Sequence, residues 1–90
     1  MSEGSKQVLI QNRRGLHARA SAKFVTLASG FDAHITVSKD GTEVTGTSIM
    51  GLMMLGAAMG DSITIAARGN GHAEALDQLV ALVQDKFGED

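Results

Sequence analysis

The chain of 90 residues has no cysteine, no proline, no tryptophan and no tyrosine, and only three phenylalanines. Without cysteine there is neither a disulfide framework nor a thiolate metal site. Three phenylalanines leave few flat surfaces on which bases or sugars stack. Charge of either sign is also scarce: eight Lys and Arg face ten Asp and Glu, for a net charge of -2. That balance argues against nucleic acid as the main partner. No apolar run approaches the roughly 18 residues of a membrane span, so no membrane insertion is expected. The opening residues Met1-Ser2-Glu3-Gly4-Ser5 lack the basic and apolar regions of a signal peptide. A cytoplasmic protein is the expectation.

What is present is an ordinary globular chain, 43% hydrophobic. It reads as one domain over residues 1–90, with no repeats or linkers. A chain of this size buries roughly two-thirds of its unfolded surface, enough for one modest core and too little for a deep cleft. Residues 6–11, around Val8-Leu9-Ile10, read as a strand. Residues 18–28 read as a helix, with Ala20, Phe24, Leu27 and Ala28 on its apolar face and Gly30 as its stop. Residues 33–39 alternate, Asp40-Gly41 is a two-residue hairpin turn, and 42–46 is the partner strand. Ser48 is placed to cap a short helix over 49–55, which Gly51 weakens. Residues 62–68 alternate again. The longest helix is expected over 72–87, with Leu76, Leu79, Val80, Val83 and Phe87 buried. Gly88-Glu89-Asp90 reads as a frayed end. The order βαββαβα predicts an α+β fold, an open-faced sandwich with a four-stranded antiparallel sheet and three helices on one face.

The chemistry concentrates at Arg14-Gly15-Leu16-His17-Ala18-Arg19. A helix start carries unpaired N–H groups and the positive end of the helix dipole, which together bind anions. That field disfavours an imidazolium, and attack on phosphorus needs a neutral ring nitrogen. Arg19 adds charge-assisted hydrogen bonds to phosphoryl oxygens. The bland alternative is a polar residue at an exposed helix end. No second base, carboxylate pair or metal cluster accompanies His17, so no metal or cofactor is expected. The pattern suits a carrier better than a self-sufficient enzyme.

Asn12-Arg13-Arg14-Gly15-Leu16-His17-Ala18-Arg19 resembles the active-site signature of HPr, the histidine-containing phosphocarrier of the bacterial phosphoenolpyruvate:sugar phosphotransferase system. A second motif, Thr47-Ser48-Ile49-Met50-Gly51-Leu52-Met53, resembles the family's regulatory segment, and the likeness covers nearly the whole chain. The resemblance implies the HPr-like open-faced β-sandwich, with phosphorylation of His17 at Nδ1 by enzyme I and transfer to an EIIA-type protein. Arg19 would stabilise the phosphoryl group, and the amides of Ala18 and Arg19 would cradle it. Ser48 matches the serine that HPr kinase/phosphorylase modifies in many bacteria. Ile49, Met50 and Met53 would form an exposed partner patch, with Leu52 and Leu55 inward. A monomer is expected.

Two departures stand out. Ala20 occupies the family's usual proline position, which raises the expectation of a looser first turn. Thr26 and Ser29 stand where lysines often dock enzyme I, so docking is expected to lean on Arg19, Lys23 and the apolar patch. These departures keep a second branch open, in which a nitrogen-related system relays phosphate for signalling and not for sugar uptake. His34 and His72 read as structural. Gly69-Asn70-Gly71 is a connection, since the rest of a phosphate loop is missing.

Overall fold

The computed structural model describes residues 2–89. Seven elements follow the expected order: β1 (Glu3–Leu9), α1 (Ala18–Ala28), β2 (His34–Lys39), β3 (Thr42–Thr45), α2 (Ile49–Met54), β4 (Ser62–Arg68) and α3 (His72–Gln84). A short 3-10 turn, Lys86–Gly88, follows α3. The strands form one antiparallel sheet in the order β1-β4-β2-β3. Asp40 and Gly41 both take positive φ, 51° and 84°, the geometry that a tight hairpin between right-twisted strands demands.

Alternation assigns the faces of the sheet. Val8, Ile35, Val37, Ile63, Ile65 and Ala67 are buried under the helices. Thr36, Ser38, Thr64 and Ala66 turn to the other, half-buried face. α1 buries Ala20, Phe24 and Ala28 as its periodicity requires, but Ser21 joins them and Leu27 lies only half-buried at the rim. Ser21 tolerates burial because its hydroxyl donates to the Leu16 carbonyl at 3.2 Å. The helix stops at Ser29. Gly30 is not left-handed, and α1 unwinds through tight turns from Gly30 N–H to Leu27 O and from Phe31 N–H to Ala28 O.

Two boundaries differ from expectation in ways that matter later. β1 ends at Leu9, yet Ile10 is fully buried. Its N–H donates to Asp61 O at 2.8 Å and its carbonyl accepts from Gly60 N–H at 2.9 Å. α3 ends at Gln84, three residues short. Lys86 and Phe87 swing into the left-handed region, φ 57° and 55°. Such a conformation costs a non-glycine residue about 1–2 kcal/mol. Phe87 is 1% exposed, and burying a phenylalanine contributes about 1.5–3 kcal/mol, comparable to the cost of the two left-handed residues together, and the Lys23 ammonium on Phe87 O at 2.7 Å adds to it.

Gly15 is the glycine on which the local path depends. Its φ is +62°, and an added Cβ would run into the Ala57 carbonyl oxygen and lie 2.9 Å from Ala58 Cα. Gly15→Ala therefore combines left-handed strain with a backbone clash. It should cost about 2 kcal/mol or more, read as a lowered urea midpoint at unchanged slope. A midpoint equal to that of the parent chain would contradict this path for the turn.

Candidate functional site

The turn ahead of α1 is built from the residues that the sequence places there. Asn12-Arg13-Arg14-Gly15 closes with Gly15 N–H on Asn12 O at 3.2 Å, and the Asn12 side-chain amide donates to Gly15 O at 2.8 Å. Leu16 is buried, and its N–H donates to Ala57 O at 3.0 Å. These contacts deliver His17 in an extended conformation, φ -74° and ψ 178°, as the N-cap of α1. Ser21 N–H donates to the His17 carbonyl at 2.9 Å and closes the first helical turn. The His17 side chain caps none of the free N–H groups of that turn. Ala18, Arg19 and Ala20 therefore present donors and the positive helix end at one place.

The imidazole is held from one side. Its Nε2 lies 2.9 Å and 3.0 Å from the two carboxylate oxygens of Glu89. Glu89 Oε1 also accepts from the Asn12 side-chain amide at 2.8 Å. That amide, first, and the His17 hydrogen bond, second, hold the Glu89 carboxyl below its ordinary range. An ionised carboxylate only accepts, so Nε2 is the nitrogen that carries the proton in this contact. Nδ1 takes no hydrogen bond among the described residues and is the ring's open nitrogen. The His17 side chain is 15% exposed, enough for a partner to reach one edge of the ring.

The sequence reading missed Glu89. By its sequence it belongs to a frayed end, but it is half-buried against the histidine. The missing signal was structural: the left-handed turn at Lys86 and Phe87 folds the C-terminal segment back over α1. Lys23 reinforces that return, its ammonium donating to Phe87 O at 2.7 Å. Arg14 and Arg19 are exposed and form no ion pair among the described residues. Ala18 is exposed, while Ala20 is fully buried. α1 begins at Ala18, so alanine in place of proline does not displace the helix start.

The second motif lies next to the first, because α2 packs on α1. Ser48 Oγ accepts from Gly51 N–H at 2.9 Å and caps α2, a contact worth about 1 kcal/mol. Ile49, Met50 and Met53 are 40%, 71% and 43% exposed, while Leu52 and Leu55 point inward. Met54 and Met59 add to the exposed apolar surface. His34 is exposed on β2 and His72 opens α3, both away from this cluster. Among the described residues, no three His, Asp or Glu gather as metal ligands. No helix there is long and apolar enough to cross a membrane.

A histidine with one open ring nitrogen thus stands at the positive start of a helix. Comparison with known proteins places the chain in a family. A family model described as the PTS HPr component phosphorylation site matches residues 4–85. The HPr phosphocarrier protein of Cupriavidus necator is 44% identical over 84 residues, 93% of this chain and 94% of that one. The NPr phosphocarrier protein of Shewanella violacea is also 44% identical, over 89 residues, 99% and 98% of the two chains. The crystal structure of HPr-C-His from Thermoanaerobacter tengcongensis matches with a TM-score of 0.92 at 42% identity, covering 97% and 98%. The chain belongs to the HPr phosphocarrier family.

Glu89 also sets an acid limit. Its carboxyl is lowered in the fold, so its contribution to stability is complete above the ordinary carboxylate range. That contribution is lost as pH falls through the depressed folded value. Urea midpoints of the parent chain and Glu89→Gln should differ near neutral pH and converge in acid, once pH is below the depressed folded value. A difference that stays constant with pH would contradict the contact.

Proposed function

We propose that this protein carries a phosphoryl group on Nδ1 of His17, received from enzyme I that has been charged by phosphoenolpyruvate and passed to an EIIA-type protein. The single observation that supports the reading most is the state of the ring: Nε2 is engaged by Glu89 and Nδ1 is open at the start of α1. Arg19 and the amides of Ala18 and Arg19 take the roles of charge partner and cradle. Ile49, Met50 and Met53 form the partner-binding patch, and Lys23 adds a charge from α1, where its ammonium meets Phe87 O. In such a relay the partner supplies the walls of the shared site. The protein acts as a single copy in the cytoplasm and needs no metal or cofactor.

A second branch is favoured by one particular observation. The NPr relative matches as well as the HPr relative and over slightly more of the chain. With Thr26 and Ser29 in place of lysines, the same carrier serves equally well in a nitrogen-related relay that signals and moves no sugar. Parallel transfer assays with sugar-type and nitrogen-type enzyme I decide between the branches.

Ser48 is the regulatory position in this reading, addressed by HPr kinase/phosphorylase where that enzyme is present. A phosphate there lies at a helix start, which tolerates negative charge, so the fold persists. The added charge sits within the docking face and slows association with an acidic partner.

Two outcomes follow. Incubation with phosphoenolpyruvate and a cognate enzyme I should add one phosphoryl mass, removable by acid and absent from His17→Ala. A parent chain that gains no such adduct would remove the carrier reading. Ser48→Asp should slow acceptance about tenfold, while the melting temperature moves by no more than a few degrees. An unchanged transfer rate would remove the regulatory reading of Ser48.

A further inference from the structure

Glu89 lies outside both sequence motifs, and its position is expensive to maintain. Two consecutive non-glycine residues, Lys86 and Phe87, adopt left-handed backbone before Gly88, which is left-handed as well. Phe87 anchors this turn in the core, and Lys23 grips its carbonyl. The buried Asn12 amide then takes one Glu89 oxygen. Three separate contacts thus direct one carboxylate to one nitrogen of one ring. Strained backbone held by surrounding packing is a recurring feature of functional sites.

We propose that Glu89 is a positioning residue for phosphoryl transfer: it keeps the proton on Nε2 of His17 and orients the ring so that the Nδ1 lone pair faces the incoming phosphorus. This rests on the carrier reading and extends it to a residue that never touches the phosphoryl group. In the transfer step the Nδ1 lone pair forms the N–P bond. The bond from phosphorus to its donor atom breaks, and its electron pair leaves with the donor. Nε2 keeps its proton throughout, so the ring acquires positive charge as the bond forms. The Glu89 carboxylate lies 2.9 Å from the nitrogen that shares that charge. The logic is that of an acidic residue that holds a catalytic imidazole in one tautomer and stabilises its cation. When the phosphoryl group leaves, the same carboxylate holds the ring ready for the next acceptance.

The experiment compares the parent chain with Glu89→Ala and the isosteric Glu89→Gln. Nitrogen-15 NMR of the unphosphorylated proteins reads the His17 ring directly, independently of any transfer. The parent should show an Nε2–H signal protected from exchange with water, and Glu89→Ala should lose it. The initial rate of acceptance from enzyme I should fall about tenfold in Glu89→Ala and by a similar order in Glu89→Gln, with the final extent of phosphorylation unchanged. Circular dichroism should show all three chains folded, and the isosteric variant separates loss of charge from loss of bulk. The proposal is overturned if the Nε2–H signal is equally protected in Glu89→Ala, or if both variants accept at the parent rate. Should the parent chain accept no phosphoryl group at all, the carrier reading falls, and a parent whose proton sits on Nδ1 overturns the Glu89 assignment separately.

Discussion

Asn12 has no exposed surface, and its amide nitrogen donates to two acceptors from opposite ends of the chain. One is the Gly15 carbonyl, which closes the turn ahead of α1. The other is Glu89 Oε1, part of the carboxylate that meets His17. The reverse orientation of the amide would set its oxygen against two other acceptors, so the network fixes which way it points. The arrangement has a cost. Asn12 Oδ1 is buried without a partner among the described residues, a loss of about 1–3 kcal/mol. The fold sustains that cost because the same side chain joins both halves of the site.

The turn is equally constrained from its far side. Leu16 is pinned to Ala57, and Ile10 to Gly60 and Asp61. The loop after α2 therefore helps to set the angle at which His17 enters α1. The site does not rest on α1 alone, and proline at position 20 is not required to start the helix. The His17 edge and the exposed methionines of α2 belong to neighbouring helices of one surface. In the proposed relay, a partner on the histidine would also meet the capped start of α2, and charge at Ser48 would act on transfer without a change of fold.

Most of the architecture was legible because local chemistry and tertiary packing agree. The periodicity of residues 18–28 and the alternation of 62–68 gave boundaries that the structure matches. Asp40-Gly41 gave the hairpin because both residues accept positive φ. Where packing outweighed local preference, the reading failed. Phe87 stands four residues after Val83, which is helical spacing, so it was placed on the α3 stripe. It is buried, but through a left-handed turn that sequence periodicity does not encode. Ser21 joined the buried face because a backbone carbonyl was within reach of its hydroxyl, while Leu27 stayed at the rim. The positions of His17 and Ser48 at helix starts were legible in short motifs. That of Glu89 was not, since it depends on a contact with a residue 72 positions away in sequence. Nothing in Gly88-Glu89-Asp90 announces that contact locally.

The proposed chemistry of the site turns on which nitrogen of which histidine bears the phosphoryl group. The direct measurement is phosphorus–nitrogen coupling by NMR in a chain labelled with nitrogen-15 at histidine and phosphorylated through enzyme I. A single coupled nitrogen, Nδ1 of His17, is the predicted result. Coupling at Nε2 of His17, or at a ring nitrogen of His34 or His72, would contradict the account.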